Sequence, residues 1–445
     1  MLSDWKHRPT HRRVWALAGP MILSNISVPL VALVDSAVIG HLPHAHQLGA
    51  VAVGSSLFTL LAWMMGFLRM GSTGFAAQAA GRGDGAGLRQ VMAQGLLLAA
   101  ALACVLGALA VPFSELALRW MNPSAELNAS TLAFFHTRLL ALPATLANYA
   151  LVGWFLGTQN ARAPLCVMLI TNALNIVLNL WFVLGLDLGV VGSARASVIA
   201  EWAALALGLL LARPALRAHP GRVDWAALRR WHNWRPLLGV NRDIFLRTLV
   251  LQGVFFLITV QGARLGDATV AANALLLNGL TLIAQALDGL AHAVEALCGR
   301  AIGARDRDGL RRALVVSAGW SLLASVAFAL GFALAGGCFI RLQTNIPAVL
   351  EVADAYLPYL ALLPLVAVWS YLLDGLFIGA TRAREMRNAM LATAVLAAPL
   401  AWLTHGLGNH GLWVSFLGFM ALRALTLAWL GWRLQQRGAW LAAGH

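Results

Sequence analysis

Gly81-Arg82-Gly83-Asp84, followed by Gly87-Leu88-Arg89, returns 222 residues later as Gly303-Ala304-Arg305-Asp306, followed by Gly309-Leu310-Arg311. The same offset holds elsewhere. Phe155-Leu156-Gly157 with Ala161-Arg162 becomes Phe377-Ile378-Gly379 with Ala383-Arg384, and Gly40, Ala50 and Gly189 map onto Gly262, Ala272 and Gly411. Each match is weak alone in a chain rich in Gly, Ala and Leu. Several regions in one ungapped register define an internal repeat, so the chain reads as two related halves.

The halves are built for a bilayer. Of 445 residues, 60% are hydrophobic and 11% charged, where a soluble chain carries roughly 25% charged residues. A spanning helix needs about 20 mostly apolar residues, and such runs follow one another at 14–40, 47–80, 88–113, 127–156, 163–184, 189–212, 236–262, 269–302, 310–338, 349–378, 385–405 and 411–433. The short alternating segments of an outer-membrane barrel are missing from the pattern. The fold class expected is therefore an all-α polytopic membrane protein, with twelve transmembrane helices in two six-helix bundles. The bundles occupy residues 1–212 and 236–445, joined by a linker at 213–235. Six spans per half make both halves enter the membrane in the same direction, a parallel repeat of the kind transporters use for alternating access. The basic stretch Met1–Arg13 precedes an apolar run with no small-residue cleavage site, which predicts a retained first helix. Cys104, Cys166, Cys298 and Cys338 all lie in apolar runs without a CxxC pair and read as small core residues.

The net charge of +14 does not mark a nucleic-acid binder, because of where the charge sits. Basic residues gather at the N-terminus, at Arg82 and Arg89, Arg162, Arg213–Arg235, Arg300–Arg312, Arg382–Arg387 and in the tail. The alternate loops hold only Arg119, Arg264 and Arg341. Positive-inside placement puts both termini in the cytoplasm of a bacterial inner membrane, as an even number of spans requires. The linker interleaves Trp225, Trp231 and Trp234 with its arginines and suits a position along the lipid headgroups.

Ionisable groups within spans are expensive and need a partner or a purpose. Asp35 lies well inside the first span with no basic residue within a helical turn or two. Desolvation makes such a carboxylate a proton site, unless an intramembrane arginine such as Arg69 pairs with it. Asn172, Asn175 and Asn179 share one face of the fifth span, and Ser193 and Ser197 one face of the sixth. These faces either hydrate and bond a neighbouring carboxylate or join helices structurally. In the second half Asp374 precedes Gly375–Gly379, while Asp288 and Glu295 stand one heptad apart on the eighth span. These three are read as a polar site of the carboxyl-terminal half. The intramembrane arginines Arg69, Arg138 and Arg247 are expected to pair structurally, Arg247 with Asp243 four residues before it. Arg195, Glu201 and Arg423 complete the intramembrane ionisable groups that need a partner. Pro20 and Pro29 can bend the first helix on the approach to Asp35.

Pro20-Met21-Ile22-Leu23-Ser24-Asn25 followed by Val34-Asp35-Ser36-Ala37-Val38-Ile39-Gly40-His41-Leu42 resembles the multidrug and toxic compound extrusion family, most closely its DinF branch. Phe67–Gly74, Asn241–Thr248 and Asp374–Arg382 are similar to that branch's second, seventh and tenth helices. The resemblance spans essentially the whole chain. It implies two bundles flanking a cleft and export of cationic or amphipathic compounds in exchange for protons or sodium. It further implies a proton site at Asp35 with Asn175, Asn179 and Ser197 as network partners. Position 179 departs from members with a second acid there, and the seventh-helix acid of sodium-coupled members has no counterpart, which favours protons. The expected protein is thus a monomeric multi-pass antiporter with no cofactor and no metal. Its partners are small molecules and membrane lipids. A lipid-linked precursor flippase and a sodium-coupled antiporter are the alternatives. An enzyme is not expected: there is no HExxH or GxSxG motif, and His292 with Glu295 lacks a further His nearby.

Overall fold

The computed structural model describes residues 2–40 and 45–441, without the side chains of 2–3, 28–37, 39–40 and 45. Helices α1 (Leu2–Trp5) and α2 (Arg8–Gly40) open the chain. The second span is α3 (Ala45–Met64) with α4 (Phe67–Gly81), the third α5 (Gly85–Met121), and the fourth α6 (Ala125–Leu139) with α7 (Leu142–Gly157). The fifth is α8 (Arg162–Asn179), continued by a π-helical turn at Leu180–Gly185, and the sixth is α9 (Gly189–Ala218). After α10 (Trp225–Arg229) come α11 (Arg235–Arg264), α12 (Asp267–Gly303), α13 (Arg307–Arg341), α14 (Pro347–Gly379), α15 (Ala383–Thr404) and α16 (Gly408–Gln436). Among the described residues nine stretches are long and apolar enough to cross a membrane, ten if α6 and α7 make one span. One of those stretches, Ala383–Gln436, holds both α15 and α16. With these separated and α2 added, each expected span falls on a helix or helix pair.

The quoted repeat motif becomes the same turn twice. Asp84 caps α5, its side chain accepting from Gly87 N–H at 2.7 Å, and Asp306 caps α13 from Gly309 N–H at 2.8 Å. A carboxylate here satisfies an orphan amide and meets the positive end of the helix dipole. The residue before each cap is left-handed: Gly83 at φ 69° and Arg305 at φ 56°. The arginine that closes each motif ties down a chain segment. Arg89 donates to the carbonyls of Leu216 and His219 at the end of α9. Arg311 holds Asp4 of α1 at 3.1 Å. Burial opposes the charge on Asp4, but its hydrogen bonds and the Arg311 charge outweigh that and hold the carboxyl below its ordinary range.

The chain divides into two compact units, Leu23–Arg235 and Pro236–His445, the latter joined by Met1–Ile22. Inside each unit two helices approach until only glycine fits. In the first, α7 crosses α4: a Cβ on Gly153 would overlap the Arg69 carbonyl, and one on Gly157 would stand 2.8 Å from the Thr73 carbonyl oxygen. In the second, α14 crosses α12 at the equivalent positions. A Cβ on Gly375 would lie 2.7 Å from the Ala291 oxygen, and one on Gly379 would lie 2.5 Å from that of Glu295. Lipid tails offer no hydrophobic drive for association, so close packing of small residues holds the bundles together. Large apolar side chains instead face outward, among them Leu109, Leu116, Leu334 and Trp402.

Gly153→Ala and Gly375→Ala are each expected to cost about 1–3 kcal/mol by overpacking against backbone that cannot rotate away. Gly253→Ala, with nothing within 4 Å of its Cβ position, is expected to be neutral or stabilising by up to about 1 kcal/mol. Thermal unfolding of the three variants in detergent checks the difference.

Candidate functional site

In the first unit a polar track runs between helices. On α8, Asn172 Nδ2 donates to Ser27 Oγ of α2 at 3.1 Å, and Asn175 Nδ2 donates to Ser197 Oγ of α9 at 3.0 Å. Asn179 is fully buried at the last residue of α8, where the π-helical turn begins. Such turns recur at functional sites because they re-aim side chains without breaking the helix. The asparagines' spacing of three and four residues puts all of them on one face, so α8 meets both α2 and α9 through amides. Asp35 and Pro29 belong to α2, but their side chains lie outside the described residues. Pro20 is described and lies within the same unbroken helix.

One helical turn beyond Ser197, Glu201 forms a second polar centre. Its Oε1 lies 3.7 Å from Arg138 of α6, and its Oε2 accepts from Asn148 of α7 at 3.1 Å. The Arg138 guanidinium sits 4.1 Å from the centre of the Phe58 ring, which adds a cation–π contact. Sequence reading marks Glu201 as a costly intramembrane acid but gives it no role, since its partners are 53 and 63 residues away.

The second unit holds the most heavily charged interior. Asp374 of α14 stands between Arg247 of α11 and Arg423 of α16, and both guanidiniums donate to the same carboxylate oxygen. All three side chains are buried. The Tyr371 ring lies 5.8 Å from the Arg423 guanidinium, and Asp288 of α12 is close enough to act on Arg247 and Tyr371 electrostatically. Glu295 is buried further along α12, where its backbone meets Gly379. The structure therefore gathers Asp374 and Asp288 around one pair of arginines. Charge-assisted bonds of this kind are strong in a low-dielectric interior. Both of these cations belong to the chain itself and share Oδ2, while the buried Oδ1 accepts no hydrogen bond.

The expected pairing of Asp243 with Arg247 is not what forms. Asp243 Oδ1 instead takes Arg387 of α15 at 2.7 Å and Arg242 at 3.1 Å. A local pair four residues apart contributes only a few tenths of a kcal/mol. Arg247, which is buried as well, is governed by the far larger cost of an unmatched interior charge. Arg138 does pair structurally, as anticipated, with Glu201. Among the described residues no cluster of His, Cys, Asp and Glu forms a metal site.

Two repeated helical halves with buried, paired charges define a polytopic membrane transporter. The MatE family model matches residues 20–181 and 244–403, one segment in each half, and the chain belongs to that family of multidrug and toxic compound extrusion transporters. It is 45% identical over 434 residues to DNA damage-inducible protein F of Escherichia coli (strain K12), covering 97% of this chain and 94% of that protein. It is 27% identical to the probable multidrug resistance protein NorM of Geobacillus kaustophilus (strain HTA426), covering 94% and 93%. A crystal structure of MATE in the bent conformation superposes with a TM-score of 0.87 at 19% identity, covering 98% of this chain and 97% of that one.

Asp374→Asn leaves two buried guanidiniums facing one neutral amide, and the expected cost is about 3–5 kcal/mol. Asp354→Asn breaks the half-exposed 3.0 Å pair with Arg341 and is expected to cost no more than about 1 kcal/mol. Unfolding of both variants in detergent tests the ranking.

Proposed function

We propose that this chain exports cationic or amphipathic small molecules from a bacterial cell in exchange for protons, working as a monomer by alternating access across the inner membrane. The observation that carries the choice of ion is the double occupancy of Asp374. A sodium ion needs several oxygen ligands and at least partial loss of its water. At Asp374 one carboxylate oxygen already accepts two guanidiniums, so two positive charges of the chain's own stand beside the group and oppose a third cation. Protons need no such cavity. Coupling then falls to the first half, where Asp35 sits on α2 and the amide face of Asn175 and Asn179, with Ser197, meets neighbouring helices. Protonation of Asp35 removes a charge, the amide face repacks, and α2 shifts near Pro20 and Pro29, expelling substrate outward. Deprotonation on the cytoplasmic side readies the protein for the next molecule. Both termini are assigned to the cytoplasm from the bias of basic loops, and the exposed Trp225 and Trp231 of the linker rest among the headgroups.

For a neutral amphipathic substrate one proton suffices energetically, whereas one-to-one exchange for a monovalent cation cancels the electrical part. A charge crossing about 100 mV yields about 2.3 kcal/mol, and one pH unit adds about 1.4 kcal/mol. Together they sustain a roughly 500-fold gradient of a neutral substrate. A lipid-linked precursor flippase would need free buried cations for a diphosphate, whereas Arg138, Arg247 and Arg423 are all engaged by carboxylates.

Efflux of a cationic dye from proteoliposomes is expected to follow an imposed pH gradient, to ignore a sodium gradient and to disappear in Asp35→Asn. Transport that follows sodium, or that survives intact in the variant, contradicts this reading.

A further inference from the structure

We infer that Glu201 is a second coupling carboxylate of the first half, which pins the break in the fourth span while charged and releases it when a proton neutralises it. The inference rests on the proton-antiport reading above and adds to it a residue and a moving part.

The fourth span is not one rod. α6 ends at Leu139, α7 begins at Leu142, and the two meet at 48°. A break inside a membrane strands backbone groups that water cannot satisfy. Here the Leu140 carbonyl accepts from Trp202 Nε1 of α9 at 3.0 Å. The neighbouring Glu201 then grips both sides of the break. It faces Arg138 on α6 at 3.7 Å, and Asn148 on α7 donates to its carboxylate at 3.1 Å and to its backbone carbonyl at 3.2 Å. A single residue of α9 thus bonds to both helices that flank the turn.

The repeat supplies a control. Positions equivalent to Arg138, Asn148 and Glu201 are Leu360, Ser370 and Arg423. There α14 runs as one helix from Pro347 to Gly379 despite Pro358 and Pro364. Tyr149 and Tyr371 occupy matching places beside the charges in each half. The break and its carboxylate pin therefore occur together in one half and are missing together from the other. Where the acid has two cations, at Asp374, the arrangement is fixed. Where it has one, at Glu201, a single proton undoes it.

Among the described residues, the charged and titratable groups facing Glu201 are Arg138 from α6 and the Tyr149 hydroxyl from α7, and α3 places the Phe58 ring against Arg138. On its own helix, Arg195 is exposed. Unlike Asp374, the Glu201 side chain is a quarter exposed. Once it is neutral, the ion pair between α6 and α9 is lost. Ser197, the partner of Asn175, lies one turn away on the same helix, so movement at Glu201 reaches the amide face.

Glu201→Gln keeps an acceptor for Asn148 but cannot gain or lose charge. The expected result is dye efflux at least about tenfold slower, with its pH dependence flattened, while dye affinity and melting temperature stay near wild type. Glu201→Asp is expected to restore the pH profile in part. A wild-type pH profile in Glu201→Gln overturns the inference and leaves the antiport reading intact. Wild-type protein that ignores a pH gradient overturns both. If the Gln variant does not fold, spin labels at the exposed positions His136 and Ile199, in a background lacking Cys104, Cys166 and Cys338, decide the matter. The distance between α6 and α9 is expected to grow as pH falls, and a pH-independent distance overturns the inference.

Discussion

A charge inside hydrocarbon has to be matched, and much of this protein's interior is organised by that demand. In the second unit Asp374 is matched twice, by Arg247 and Arg423 from two other helices. In the first, Glu201 is matched once, by Arg138. Neutral polar groups follow the same rule. Asn273 and Asn409 exchange amide bonds at 2.7 and 3.0 Å while Trp413 donates to Asn273 at 2.9 Å. Removing one partner of such a set leaves the other stranded, which makes these contacts decisive for how the helices are arranged.

The repeat shows how one scaffold can serve two purposes. Its turns, its N-cap aspartates and its glycine crossings keep the same register in both halves. The polar interiors diverge instead. Glu201 and Arg423 hold equivalent positions with opposite charge beside equivalent tyrosines. In the second half Asp374 is held by the half's own Arg247 and Arg423. The first carries amides, a π-helical turn, a broken span and a singly paired acid. A protein that one proton is to switch needs elements with alternative arrangements of similar energy.

The architecture was legible because its signals are local or periodic. Span length, loop charge and the 222-residue register need no knowledge of contacts. The shared face of Asn172, Asn175 and Asn179 follows from helical spacing alone. Partners across the bundle did not follow from it. Asp374 meets arginines 127 and 49 residues away, while sequence spacing pointed to the local pair of Asp243 and Arg247 that does not form. Glu201 stood out only as a charge in the wrong solvent. Its meaning depends on the turn at Leu140, and a proline near that turn, Pro143, has a near-counterpart in Pro364, where the helix continues.

The central claim is that substrate and proton compete through the first half, with sodium excluded from the second by the chain's own arginines. Proton release on substrate binding tests it most directly, measured with purified protein in weakly buffered detergent solution containing a pH indicator. Addition of a cationic dye is predicted to release protons in step with its binding, unchanged when sodium is replaced by choline. Binding that releases no protons, and weakens as sodium is raised, would contradict the account.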